Sequence, residues 1–179
     1  VRFIAEPGAE SRAGVPPAPA GQPPATVQAE KPDGQAGRPP YSADALVLLT
    51  NGLGGMARLA MNLGEVRSKY DCLLGANLHA ALPVDRHVLA KRARVWINAD
   101  GFITPLDLDN LLDFETRPVV KWRFLASAGD DRAVEVHLCA DMLEGRNVTV
   151  LRFHRPDDAP PAGRDLAPEC HVSLTVRVD

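Results

Sequence analysis

The chain has 179 residues, of which 45% are hydrophobic and 24% charged, and its net charge at pH 7 is −3. This length suits one domain, with or without a tail. The weakly acidic balance argues against a nucleic-acid partner and against binding to an anionic membrane, because both need a clustered basic excess.

The N-terminal part differs in composition from the rest of the chain. Residues 7–40 hold more than half of the sixteen prolines and no aromatic residue. Such a segment buries too little apolar surface to offset its ordering entropy, so 7–40 is predicted to be a flexible, disordered Pro/Gly/Ala-rich linker. It could equally be an insertion or an interdomain tether. Residues 1–6 could form a short strand ahead of it.

From Tyr41 onward the sequence is a series of strand-like segments. The clearest is 134–142, which has apolar residues at every second position. Weaker patterns predict strands at 57–63, 69–78, 88–98, 102–103, 148–153 and 171–178. Residues 98–101 predict a hairpin turn, and only 106–114 suggests a turn or two of helix. We therefore predict an all-β antiparallel sandwich over 41–179, truncated at its C-terminal end because no turn signal follows the last strand.

The cysteines are few and far apart. Cys72, Cys139 and Cys170 form no C-x-x-C pair, so neither a zinc site nor a dithiol redox site is indicated. Free cysteines in strands commonly behave as small buried hydrophobic residues. We expect a reduced, cytoplasmic protein.

The most distinctive motif is the turn Thr50–Gly55, which reads Thr-Asn-Gly-Leu-Gly-Gly. Glycine and asparagine adopt positive φ angles at low cost, so a tight turn between two strands is predicted. A phosphate-binding loop would need Gly-Lys-Ser/Thr, or G-x-G-x-x-G opening a helix. Neither pattern occurs here.

A second motif, Ser68–Leu74, reads Ser-Lys-Tyr-Asp-Cys-Leu-Leu. Together the two motifs resemble the N-terminal β-rich domain of the bacterial and archaeal type of glycogen debranching enzyme, where the second motif is typically Arg-Arg-Tyr-His-Gly-Leu-Leu. Tyr70 and the paired leucines keep the family's residue types, whereas Asp71 and Cys72 replace its His and Gly. The resemblance spans roughly residues 41–155.

This resemblance implies a supersandwich-like domain of a glycoside hydrolase, an amylo-α-1,6-glucosidase of carbohydrate metabolism that needs no metal or organic cofactor. In that family the catalytic acids lie in a separate C-terminal helical barrel. The resemblance therefore implies a non-catalytic domain that packs on this barrel and lines the entrance for glycogen or another α-glucan. A free-standing carbohydrate-binding or structural assembly domain is the alternative interpretation. The oligomeric state is left open, and a homo-oligomer is one of the options.

The best candidates for sugar contact are Asn51, Arg67, Lys69, Tyr70 and Asp71. An aromatic ring offers an apolar face to a pyranose, and charged side chains offer hydrogen bonds to its hydroxyls. The competing interpretation is that Tyr70 packs in the core, since aromatic residues in strands more often pack than bind. The charges would then face solvent or a neighbouring domain.

Two other clusters have plainer interpretations. The acidic run 107–115 could supply the two carboxyl groups that glycoside hydrolysis needs, but such density is typical of a solvated loop or a capped short helix. Residues 135–141 place glutamate, histidine, cysteine and aspartate on one strand face. These are metal-ligand types, yet they also form the polar side of the strongest amphipathic strand. No metal site is predicted.

Overall fold

A computed structural model of the chain describes residues 45–79, 81–82, 85–117, 119–157 and 164–179. These ranges contain twelve strands and one short 3₁₀ helix, and the predicted all-β antiparallel architecture is confirmed. No helix within the described part is long and apolar enough to cross a membrane. The strand predicted at 1–6 and the disordered linker predicted at 7–40 lie outside the described residues.

The first sheet has four antiparallel strands in chain order. They are β1 (Leu46–Thr50), β2 (Met56–Ala60), β3 (Cys72–Asn77) and β4 (Arg86–Ala90). Thr50 pairs with Met56 at the end of the β1–β2 hairpin. The glycine-rich motif therefore connects two paired strands, as its composition predicts.

The second sheet has five strands, with β10, β9, β8 and β7 side by side and β11 paired to β9. They are β7 (Leu111–Glu115), β8 (Val120–Ser127), β9 (Arg132–Met142), β10 (Thr149–His154) and β11 (Arg164–Asp165). All pairs are antiparallel except the short β9–β11 pair. Strand β9 contains the alternating segment that gave the clearest prediction.

The third sheet has three antiparallel strands in the order β12, β5, β6. They are β5 (Ala93–Ala99), β6 (Phe102–Pro105) and β12 (Val172–Val178). The predicted hairpin between β5 and β6 is confirmed, and its turn residues Asp100 and Gly101 have φ angles of 52° and 89°. Asparagine, aspartate and glycine are favoured in such turns because they tolerate positive φ.

One hydrophobic core receives buried side chains from all three sheets. At its centre, Trp122 of β8 is 0% exposed and its ring lies 5.2 Å from that of Phe114. The indole Nε1 donates a hydrogen bond of 3.1 Å to the carbonyl oxygen of Met61, because a buried N–H needs an acceptor. This bond attaches the core to the segment that follows β2.

Three predicted strands differ from those observed. The strand predicted at 57–63 ends at Ala60. The strand predicted at 69–78 begins only at Cys72, because the preceding residues fold into a turn around Asp71. The strand predicted at 88–98 is divided between β4 and β5, which belong to different sheets.

The helical expectation for 106–114 is only partly confirmed. A 3₁₀ helix covers Leu108–Asn110, and β7 follows at once. Asp107 caps this helix, because its side chain accepts a hydrogen bond of 3.0 Å from the backbone N–H of Asp109. In return, the backbone N–H of Asp107 donates a hydrogen bond of 3.2 Å to Oδ1 of Asn110. The interpretation of the acidic run as a capped short helix is therefore confirmed at its N-terminal end.

Candidate functional site

The glycine-rich turn is organised around the side chain of Asn51, which is 2% exposed. Its Oδ1 accepts hydrogen bonds of 2.8 Å from the backbone N–H groups of Leu53 and Gly55. Its Nδ2 donates one of 2.8 Å to Oδ1 of Asn147, and its carbonyl oxygen accepts another of 2.8 Å from the N–H of Gly145. Asn51 thus joins the turn to the β9–β10 loop, and its amide is already engaged.

The close fit at Gly55 predicts a large effect for Gly55→Ala. An added Cβ would meet Nδ2 of Asn51 and would lie 2.6 Å from Oδ1 of Asn147. Because the buried amides must then separate, we expect a loss of about 2–4 kcal/mol in the free energy of unfolding, measured by urea denaturation.

Gly52→Ala is the matched control for that substitution. Gly52 has φ of 76° but open space around a Cβ, so only backbone strain of roughly 1 kcal/mol applies. Equal losses of stability in the two variants would mean that contact with the side-chain amides of Asn51 and Asn147 is not what makes Gly55→Ala destabilising.

The second candidate segment, residues 62–71, follows β2 and is folded around the carboxylate of Asp71. Asp71 is 2% exposed and pairs with Arg58 of β2. Its Oδ2 also accepts hydrogen bonds from the backbone N–H groups of Arg67, at 2.7 Å, and Ser68, at 2.8 Å. Asp71 therefore closes the turn that precedes β3.

Tyr70 protrudes from this turn and is 64% exposed, so it does not pack in the core. The Nζ of Lys69 lies 5.0 Å from the centroid of its ring. Behind the turn, Nζ of Lys91 donates hydrogen bonds to the carbonyl oxygens of Lys69, at 2.7 Å, and Ser68, at 3.4 Å. The aromatic ring of Tyr70 is therefore accessible, and the backbone that carries it is held by Asp71 on one side and by Lys91 on the other.

The structure thus places four of the five predicted contact residues on one turn. Arg67, Lys69, Tyr70 and Asp71 share it, whereas Asn51 belongs to the glycine-rich turn. The guanidinium of Arg67 lies 2.9 Å from a Glu65 oxygen. Sugar contact by these residues stays a prediction.

A cleft of about 490 Å³ adjoins segment 62–71, and no motif in the sequence predicts it as a site. One wall is formed by Glu65 and Val66, and another by Arg94 and Trp96 of β5. Asp107, which caps the 3₁₀ helix, also lines the cleft. The sequence feature that could have indicated this cleft is the alternation along β5, which places Arg94 and Trp96 on the partly exposed face of the strand.

The arginines beside this cleft are fixed by one carboxylate. The Oδ2 atom of Asp179 lies 2.9 Å from Nε of Arg92 and 2.8 Å from Nη2 of Arg94, and Oδ1 lies 2.9 Å from Nε of Arg177. The hydrogen bond from Arg92 lowers the pKa of Asp179 to about 2, with Arg177 and Arg94 adding to the effect. The ionised carboxylate of Asp179 thus contacts both cleft arginines.

The polar face of the five-stranded sheet carries a second ionic cluster. Oε1 of Glu135 lies 2.8 Å from Nε of Arg123 and 2.7 Å from Nε2 of His137. Burial alone would raise the pKa of Glu135, but hydrogen bonds from Arg123 and His137 outweigh it and lower the pKa. No group of three or more metal-ligand side chains is found in the described part of the chain.

Comparison with known proteins assigns the family. Residues 46–173 match the family model for the glycogen debranching enzyme N-terminal domain. The match includes the glycine-rich turn, the Tyr70 turn and the cleft strand β5. No curated protein and no solved structure matches the chain. Since the matched range covers well over half of the 179 residues, the chain belongs to the glycogen debranching enzyme N-terminal family.

Proposed function

We propose that this chain is the non-catalytic N-terminal domain of a glycoside hydrolase, an amylo-α-1,6-glucosidase that acts on the branches of glycogen or related α-glucans. Its partner is a catalytic barrel of the same cytoplasmic protein, on which it packs and whose substrate entrance it lines. The observation that carries this proposal is the family match over 46–173.

The state of the carboxyl groups supports a non-catalytic role. A general acid in glycoside hydrolysis needs a pKa raised toward neutrality. Among the residues that the structure describes, the carboxyl groups with shifted pKa values are Glu135 and Asp179. Both pKa values shift downward instead, because arginines, and His137 in the case of Glu135, hydrogen-bond to these carboxylates. Asp71 is likewise engaged by Arg58 and by backbone N–H groups.

The Tyr70 turn supports direct contact with the glucan. An exposed phenol ring offers an apolar face to a pyranose, and the nearby ammonium group of Lys69 can donate hydrogen bonds to hydroxyls. Asn51 and Asp71 are buried and already hydrogen-bonded, so in this proposal they position the two turns.

Retention in glycogen-containing native gels tests the proposal with the full chain. We expect glycogen to retard the wild-type chain and Tyr70→Ala to weaken the apparent affinity about two- to tenfold, the range for loss of one aromatic contact. Phe102→Ala is the matched control, because Phe102 is also an exposed aromatic residue but lies on β6.

Two results would overturn parts of this proposal. If glycogen leaves the wild-type mobility unchanged, the domain does not contact the glucan and a structural assembly role is favoured. If both aromatic variants bind like the wild type, glycogen binds somewhere other than the Tyr70 turn.

A further inference from the structure

We propose that the cleft beside segment 62–71 is a second binding site, one that takes a short, uncharged α-glucan of a few glucose units. This inference rests on the proposed function, because it assigns the same class of ligand to a different surface. The cleft volume of about 490 Å³ lies within the range of small-ligand sites.

The chemistry of the lining favours a sugar. Trp96 supplies a large, partly exposed aromatic side chain in the cleft, and indole faces pack well against the apolar side of a pyranose. Glu65 and Asp107 supply acceptors, and Arg92 and Arg94 supply donors. Hydroxyl groups can both donate and accept, so a sugar satisfies both kinds of partner.

The charge of the lining disfavours an anion. Among the lining residues, Arg92 and Arg94 are positively charged and Glu65 and Asp107 are negatively charged, so the lining itself carries no net charge. A phosphate-bearing ligand would gain no net attraction from these four side chains, whereas a neutral polyol loses nothing by this balance.

The cleft is also held in shape before any ligand arrives. Nη1 of Arg92 donates a hydrogen bond of 3.3 Å to the carbonyl oxygen of Gly64. The N–H of Ala93 donates one of 3.2 Å to Leu63, and the N–H of Leu106 donates one of 2.9 Å to Val95. These bonds tie segment 62–71 and Leu106 to β5 and to Arg92, which directly precedes it, so little ordering cost is added on binding.

The two tryptophans of the chain make the test direct. Trp122 is 0% exposed and serves as an internal reference, whereas Trp96 lines the cleft. We expect maltotriose to change the tryptophan emission saturably in the wild type and to leave it unchanged in Trp96→Phe. By calorimetry, Trp96→Ala should weaken maltotriose binding about tenfold, while Phe102→Ala binds normally.

A second variant guards against misfolding of the Trp96 substitutions. Val66 is 38% exposed at the cleft, so Val66→Arg fills the cleft without disturbing the core. We expect this variant to keep the wild-type unfolding midpoint and to lose maltotriose binding. Normal maltotriose binding by a folded Val66→Arg chain would overturn the cleft assignment.

The outcomes separate this inference from the proposed function. A wild-type chain that binds glycogen but shows no Trp96-dependent maltotriose signal overturns the cleft site alone. A chain that binds neither glycogen nor maltotriose overturns both. If inorganic phosphate competes with maltotriose or gives the saturable change in its place, the assignment of an uncharged ligand is wrong.

Discussion

Trp122→Ala is expected to cost about 4 kcal/mol in the free energy of unfolding, which is the usual scale for truncating a fully buried aromatic residue. Trp122 is 0% exposed and packs against Phe114 at the centre of the core. Since small domains are stable by only about 5–15 kcal/mol, this single change would remove a large share of the stability. Urea denaturation followed by circular dichroism measures the loss.

Trp122→Phe separates the packing from the hydrogen bond. This variant keeps an aromatic ring beside Phe114 but leaves the buried carbonyl oxygen of Met61 without its indole donor. We expect a smaller loss, roughly 1–3 kcal/mol for an unsatisfied buried acceptor together with a small cavity. If Trp122→Ala costs no more than Trp122→Phe, Trp122 is not central to the core.

The fold was predictable where one face of a strand is buried and the other is not. Residues 136–142 alternate in this way within β9, whereas Glu135 on the polar face is also buried. The same alternation is present in β8, where Val120, Trp122, Phe124 and Ala126 are buried, although the sequence analysis did not identify a strand there. The division of 88–98 between two sheets was not predictable, because alternation along a chain carries no information about which strands pair.

The sequence motif indicated the segment around Tyr70 as a candidate site but not the conformation of that segment. The sequence predicted a strand from residue 69, and local spacing could not show that Asp71 is buried and accepts hydrogen bonds from Arg67 and Ser68. An extended strand would have placed Lys69 and Asp71 on one face. The turn separates them, because side chain-to-backbone hydrogen bonds compete with strand geometry. The cleft is formed by segments distant in sequence, so no single motif identifies it.

Asp71→Ala is the second substitution with a large expected effect, about 3 kcal/mol in the free energy of unfolding. The change leaves Arg58 without its buried partner and removes the acceptor for the backbone N–H groups of Arg67 and Ser68. Hydrogen bonds to a buried carboxylate are stronger than neutral ones, and three donors lose theirs together. Differential scanning calorimetry and urea denaturation measure the loss.

The control Arg58→Met divides this loss between the ion pair and the backbone. The Arg58 side chain is 28% exposed, and its removal leaves the carboxylate with its two backbone donors. We expect Arg58→Met to cost roughly half as much free energy of unfolding as Asp71→Ala.

The same carboxylate holds the Tyr70 turn in place, so Asp71→Ala should also weaken glycogen retention at temperatures where the variant stays folded. Wild-type retention by a folded Asp71→Ala chain would mean that the Tyr70 ring does not depend on this turn for its position, since an aromatic contact of this kind requires a fixed ring.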